Sequence, residues 1–267
     1  MNVFRFKTIN HGYKSLVKRL LIKPDYYEKV NIPEKKPKNI YENKNIHVNK
    51  KSRFHLRNVH ILFENPKEFT KYDVDCPKRT KVMNSYMEKE KELFDRGVIN
   101  SNEMGNISKL WKLIENVDNT INANYGYMVY HLRDAGNLKY NPNVMMSQWE
   151  WCQNRLSKNP NTLQAIMHFN RPKDQYIENL DQPCTVFTQF TVTDGKLNFH
   201  SFMRSNDVIY GTPYNIAYFK LLQERMLNYL NETQNLGLEF GYLHHNVTSL
   251  HLYEDKIDIA KKIVNLQ

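Results

Sequence analysis

The chain has few cysteines, no long apolar run and no acidic residue before Asp25, and each absence excludes something. Cys76, Cys152 and Cys184 are too few and too irregularly spaced for a disulfide framework, and no CxxC pair suggests zinc. No apolar run approaches the ~18 residues that cross a bilayer, and the start lacks the compact apolar block of a secretory signal. These absences predict a soluble, cytoplasmic protein with no membrane partner, in a reducing compartment where a free thiol survives.

What is present suffices for one core of ordinary size: 267 residues, 40% hydrophobic and 12% aromatic. The charge is uneven. Residues 1–53 hold 14 Lys/Arg against 4 Asp/Glu, which accounts for the whole net charge of +10, and the remainder carries 24 of each sign. Within GYKSLVKRLLI, Tyr13, Val17, Leu20 and Leu21 share a helical face with lysines opposite, which predicts a solvated helix packed loosely on the domain. Residues 24–49, rich in Pro, Lys and Asn, read as a linker or surface-hugging extension. The expected division is a basic extension over 1–49 and one main domain over 50–267, with residues 1–53 available for a nucleic-acid or protein contact.

The stretch that organises the domain is Asp181–Phe219. CTVFTQFTV and KLNFHSFMR alternate branched or aromatic with polar residues, and Asp194-Gly195 between them is a strong hairpin signal. Cys184 opens the first strand, and Arg204-Ser205-Asn206-Asp207 closes the second before a helix through NIAYFKLLQERMLNYL. A thiol and a guanidinium thus meet near one sheet end, where the cation would lower the thiol pKa. A lone cysteine before an apolar strand is more often a small buried hydrophobe than a nucleophile, so that reading stands beside the chemical one. RFHLRNVHILF is expected to be the domain's first strand, VMNSYMEKEKELFDRG, SKLWKLIENVD and WEWCQNRLSKNP helices, MVYHL, TLQAIMHFNRP and GYLHHNVTSLHLY strands, and IDIAKKIVNLQ a final helix. His244, His245 and His251 have no supporting carboxylate or thiol at metal spacing, so no metal is expected.

PC followed by QF-V--GKL and then by RS-D---G-P-NIAY resembles the core of the thymidylate synthase family. Glu90 in YMEKEKELF, Trp111 in KLWKLI, Tyr125-Gly126 in INANYG, Asn159-Pro160, and His251 with Tyr253 in SLHLY fall in the family's order. INANYG, IMHFNRP, MRSNDV and SLHLY are closer to its phage-type deoxynucleotide hydroxymethylases than to ordinary synthases.

The resemblance implies an α+β fold, a large mixed sheet with helices on one face and an apolar opposite face that forms a sheet-to-sheet homodimer. It also implies one-carbon transfer from 5,10-methylenetetrahydrofolate to carbon 5 of a pyrimidine deoxynucleoside monophosphate, with Cys184 as nucleophile and Glu90 and Tyr125 managing protons. Arg204 and Ser205 would hold the phosphate, His251 and Tyr253 the sugar hydroxyl, and Asp207 the folate. Asn215 would read the base. A carboxamide suits uracil, whereas the deoxycytidylate hydroxymethylases carry Asp there, so deoxyuridylate is the expected substrate. The alternatives are a methyl product, as in thymidylate synthase, or a non-catalytic homologue whose basic arm binds a partner.

Two features of the family pattern are altered or open. A phosphate-binding arginine precedes a strand comparable to RFHLRNVHILF, and Lys51, Arg53 and Arg57 all qualify. The paired arginines that reach across the dimer are replaced by Leu163 and Gln164.

Overall fold

The computed structural model describes residues 2–33, 48–136, 145–176 and 179–266. In chain order the elements are β1 (Asn2–Phe6), α1 (Ile9–Ile22), β2 (Tyr26–Pro33), β3 (Val48–Phe63), α2 (Pro77–Asp95), α3 (Ser101–Gly105), α4 (Leu110–Leu113), β4 (Ala135–Gly136), β5 (Met145–Met146), α5 (Gln148–Lys158), β6 (Ile166–His168), β7 (Thr185–Thr193), β8 (Lys196–Met203), β9 (Asn206–Asp207), α6 (Thr212–Gln234), β10 (Glu239–Tyr253) and α7 (Ile257–Ile263). Among the described residues, eight strands form one mixed sheet in the order β1-β3-β10-β8-β7-β6, with β2 pairing β3 and β9 pairing β10. The expected α+β architecture is the observed one.

The hairpin forms where its turn chemistry requires. Asp194 and Gly195 take φ of 52° and 71°, the two left-handed positions that match a two-residue turn to the twist of its strands. Ser147 caps α5 through a reciprocal pair with Glu150. Leu197, Phe199 and Met203 of β8, Phe190 of β7 and Leu243 of β10 are buried with Ile216, Phe219 and Leu222 of α6, which form the centre of the core. No helix among the described residues is long and apolar enough to cross a membrane.

The N-terminal stretch departs from expectation. Ile9, Tyr13, Leu16, Val17 and Leu20 have no exposed surface at all, so α1 is core rather than a loosely docked helix. Burying each such side chain is worth about 1.5–3 kcal/mol. The lysine-bearing face that suggested solvation is partly neutralised, since Lys14 Nζ lies 2.9 Å from Asp75 and Arg19 lies 3.6 Å from Asp25. β1 and β2 are likewise sheet strands, paired with opposite halves of β3. The linker reading therefore fails for Tyr26–Pro33, and residues 34–47 lie outside the described residues.

Three smaller expectations also change. MVYHL is a wide helical turn over Tyr127–His131, because the buried Asn124 accepts the Tyr127 N–H at 2.7 Å and so starts a helix instead of a strand. SKLWKLIENVD narrows to the single turn of α4, and TLQAIMHFNRP to the three residues of β6. The sheet face away from α6 is half-exposed but not simply apolar. One lateral row across it reads Val3, His60, Asn246, Phe202, Phe187, His168, and the next reads Arg5, Leu62, His244, His200, Gln189, Ile166. Phe187 and Phe202 stack with centroids 4.3 Å apart, while His244 lies 5.8 and 6.0 Å from His200 and His60.

Candidate active site

Cys184 stands half-buried just before β7, and its carbonyl accepts the Arg204 N–H at 2.9 Å across the hairpin. The Arg204 guanidinium turns back onto the loop before the thiol, donating to Gln182 O at 2.8 Å and Pro183 O at 3.3 Å. Burial pushes the thiol pKa up, and Arg204 opposes this without overcoming it. Arg204 does lower the thiol pKa, as expected, but desolvation is the larger effect and the net shift is upward.

Beside it, Tyr125 Oη accepts from Thr185 Oγ1 at 2.8 Å and from Thr185 N at 3.2 Å. Two accepted bonds leave the phenol's own hydrogen free to turn elsewhere. The loop carrying Tyr125 is held from two sides. The buried Asp181 takes the Asn122 and Ala123 N–H groups at 2.5 and 2.8 Å, and a Cβ on Gly126 would fall 2.0 Å from the Phe94 carbonyl oxygen. Only glycine permits that approach to α2.

On α2, the buried Glu90 accepts the Tyr86 hydroxyl at 2.9 Å, and Trp111 Nε1 donates to Tyr86 at 3.3 Å. Desolvation lifts the Glu90 carboxyl to about 7, with the Tyr86 bond opposing. Tyr86 packs 4.3 Å from Tyr214, the neighbour of Asn215. Asn215 is the fourth residue of α6, whose N-cap is Gly211, so Asn215 does not cap the helix. Its carboxamide is half-exposed and makes no hydrogen bond to any described residue.

At the far end of β10, Ser205 Oγ lies 3.5 Å from His251 Nδ1, and the His251 and Tyr253 rings are 5.0 Å apart. His251 pairs with Asp207 across β10 and β9. Asp207 Oδ1 accepts the Ile209 and Tyr210 N–H groups at 2.6 and 3.0 Å, and burial raises its pKa nonetheless. His245, by contrast, is consumed in the core by Ser201 at 2.7 Å and Asn206 at 3.1 Å, and His244 faces the open side of the sheet. Gln189 donates to Leu163 O at 2.9 Å, a structural role. Leu163 and Gln164 line a separate groove of about 650 Å³ at the β6 edge, with Trp151, His168 and Arg171. Of the three candidate cations, all within β3, Arg53 is the register partner of Tyr253 and Arg57 lies over the Tyr26 ring at 3.8 Å. The side chain of Lys51 lies outside the described residues.

Sequence reasoning missed Asp181, Asn124, Tyr86 and Thr185 as organisers of the site. It also missed Glu28, which bonds Arg53. The tyrosine pair and the short Val30-Asn31-Ile32 alternation in YYEKVNIP were the available signal for that strand.

The thymidylate synthase family model matches residues 62–267. The chain belongs to the thymidylate synthase family. Deoxycytidylate 5-hydroxymethyltransferase of Enterobacteria phage T4 is 28% identical over 170 residues, 62% of this chain and 63% of that protein. Deoxyuridylate hydroxymethyltransferase of Bacillus phage SP01 is 32% identical over 147 residues, 53% of this chain and 36% of that protein. Thymidylate synthase of Listeria monocytogenes serotype 4b (strain CLIP80459) is 35% identical over 108 residues, 40% of this chain and 32% of that protein. The matches thus span less than two thirds of each relative's length. Thermostable thymidylate synthase A from Bacillus subtilis shares the fold with a TM-score of 0.64 at 17% identity, covering 97% of this chain and 84% of that one.

Glu90 gives this thymidylate synthase family site a measurable pH signature. Its folded pKa of about 7 exceeds the ordinary 4.5, so between these values the native state holds a proton that the unfolded chain releases. Stability is lost as pH rises through that window. Glu90→Gln removes the penalty, and the variant should gain on wild type by on the order of 3 kcal/mol between pH 4.5 and 8 in denaturant unfolding. A gap between the two proteins that stays constant with pH would contradict the assignment.

Proposed function

We propose that the protein is a pyrimidine deoxynucleotide C5 hydroxymethylase acting on deoxyuridylate. The observation that carries this is the convergence of Cys184, Tyr125 and Arg204 at one sheet end, in a family whose hydroxymethylase members are among the relatives.

Carbon 5 of uracil is too weak a nucleophile to take up a one-carbon unit. Addition of Cys184 Sγ to carbon 6 moves the ring electrons towards O4 and makes carbon 5 nucleophilic. Because burial raises the thiol pKa, the sulfur would give up its proton to water as the carbon–sulfur bond forms. Arg204 would meet the phosphate with the charge that its two carbonyl partners leave exposed, and Ser205 would add a hydroxyl. Asn215 would donate to O4 and accept from N3–H, which its uncommitted carboxamide supports. Tyr125 would assist removal of the carbon 5 proton. Glu90, poised near neutrality, would exchange protons with water at the ring and at the water that ends the reaction. His251 and Tyr253 would hold the sugar hydroxyl.

5,10-Methylenetetrahydrofolate would supply the carbon at the oxidation level of formaldehyde. The half-buried, backbone-tethered Asp207 and the half-buried Trp111 are a carboxylate and an aromatic surface of the kind a pterin ring takes, so the residues fit the co-substrate.

Incubation with deoxyuridylate tritiated at carbon 5 and methylenetetrahydrofolate should release tritium, and mass spectrometry should find a hydroxymethyl product. Cys184→Ser should release none while remaining folded. A methyl product would establish the synthase reading instead, and tritium release by the serine variant would end the covalent mechanism.

Asn215→Asp should shift preference from deoxyuridylate towards deoxycytidylate. A carboxylate accepts from the cytosine amino group but offers no donor to O4, so the ratio of kcat/KM values should move roughly tenfold to a hundredfold. Equal loss on both nucleotides would count against Asn215 as the base-reading residue.

The same reading includes a homodimer through the open sheet face. Phe187, Phe202, Leu62 and Ile166 provide the apolar area, and His60, already bonded to Asn246 at 2.7 Å, and His200, within 3.0 Å of Thr191, present satisfied polar groups rather than orphans. Sedimentation equilibrium at micromolar concentration and pH 7.5 should give a dimer, and Phe202→Glu should give a monomer. A wild-type monomer under those conditions would refute it.

A further inference from the structure

The open face of the sheet gathers three imidazoles that the candidate site does not use. His60 of β3, His244 of β10 and His200 of β8 lie side by side across three neighbouring strands, with the outer ring centroids 6.0 and 5.8 Å from that of His244. We infer that this cluster is a pH-sensitive switch on the face: neutral, it lets a second copy of the chain stack on the sheet, and protonated, it drives the two copies apart. This rests on the homodimer reading of that face and adds a control to it.

The hydrogen bonds decide which protons the cluster can hold. His60 Nδ1 is 2.7 Å from Asn246 Oδ1, and the same amide donates through Nδ2 to Ser201 O at 3.2 Å, so its carbonyl end faces the ring. Nδ1 is therefore the donor, and Nε2 is bare in the neutral ring. His200 Nε2 is within 3.0 Å of Thr191 Oγ1, and His244 makes no hydrogen bond to any described residue. A proton added to His60 or His244 thus meets no protein acceptor, and water must solvate it. Stacking a second copy on the sheet removes that water.

The carboxylates around the cluster are already committed. The two lateral rows that hold it contain no acidic residue, and their one arginine, Arg5 of β1, is paired with Glu64 just after β3. Tyr242 of β10 stands edge-on to His200 at 5.6 Å, while β7 faces it with Gln189 and Thr191, which do not ionise. Lys196 and Glu239 lie 3.8 Å apart at the hairpin end. His168 on β6 is left out of the switch, because Asp134 lines its groove together with Arg171, itself 2.7 Å from Asp174. Burial holds the His200 pKa down to about 4 and that of His244 below the ordinary 6.5, and a neighbouring imidazole lowers each further. Both are uncharged at neutral pH. A stacked dimer withdraws them further from water, so the free protomer takes up protons that the dimer rejects. Dimer stability is complete at pH 7.5 and is lost as pH falls from 6.5 towards 4.

The test is sedimentation equilibrium of the full chain from pH 7.5 to 4.5 at constant ionic strength, with circular dichroism at each pH to establish that the protein is folded. The wild type should pass from dimer to folded monomer. Because both copies of His244 must give up a proton, that residue alone should raise the dissociation constant by up to about a hundredfold per pH unit below its pKa. His244→Gln should dimerise at pH 7.5 within about tenfold of wild type and lose a large part of the pH slope. His244→Phe, which keeps a ring that cannot ionise, should do the same. His60→Gln/His200→Gln/His244→Gln should stay dimeric at pH 4.5. A wild-type dissociation constant that does not change between pH 7.5 and 4.5, or an equal rise in the triple variant, would overturn the switch and leave the dimer standing. A wild-type monomer at pH 7.5 would defeat the homodimer reading itself, and the switch with it.

Discussion

One loop, held from two sides, makes the candidate site possible. Residues 121–126 must bring Tyr125 to the mouth of β7 and at the same time lie against α2, which carries Glu90. Asp181 does the first by accepting two successive N–H groups from the loop only three residues before Cys184. Gly126 does the second by having no side chain where the Phe94 carbonyl stands. Neither contact is chemical in the catalytic sense. Yet loosening either would separate a phenol, a thiol and a carboxyl that come from three different elements, and displacements of about an ångström are costly at reacting centres.

The electrostatics of that junction are governed by burial rather than by charge pairs. The pKa values of Glu90, Cys184, Asp207 and Tyr125 are all raised, and desolvation is the largest cause for each. Burial therefore shifts these four groups towards their protonated forms, while the exposed Arg204 carries positive charge at the rim. A dianionic nucleotide entering such a site would meet a cation at its phosphate and, at its ring, groups whose protons burial favours. This division suits a reaction that must place an anion at one end and move protons at the other.

Much of this was legible in the residues, for physical reasons that differ between elements. The Asp194-Gly195 hairpin was readable because left-handed turn positions tolerate few residues, and α5 because Ser147 and Glu150 form a reciprocal cap. The burial of α1 was hidden by its lysines, which are equally compatible with a solvated helix and with one whose cations find Asp75 and Asp25. The strand expected at MVYHL failed because composition cannot register a single buried side chain, Asn124, that closes a helical turn. The net shift of Cys184 was misjudged for a related reason: sequence shows that an arginine follows the hairpin, but not how far the thiol is withdrawn from water, and desolvation is the larger cause. Glu28 was overlooked because its stretch looked like linker.

The long strand β10 shows how one register serves three purposes. Alternation along it sends His244 and Asn246 to the open face, Leu243, His245 and Val247 to the core beneath α6, and His251 and Tyr253 to the site row. A bulge between Phe240 and Leu243 sets the phase, and it is stabilised by Gln223, whose Nε2 donates to Leu197 O, Gly241 O and Tyr242 O at 2.8, 3.3 and 3.1 Å. A slip of one residue would place His244 in the apolar core and turn the ring of His251 away from Ser205. The buried Gln223 amide, far from any reacting group, therefore acts on core, open face and site together, because all three are read from the same strand.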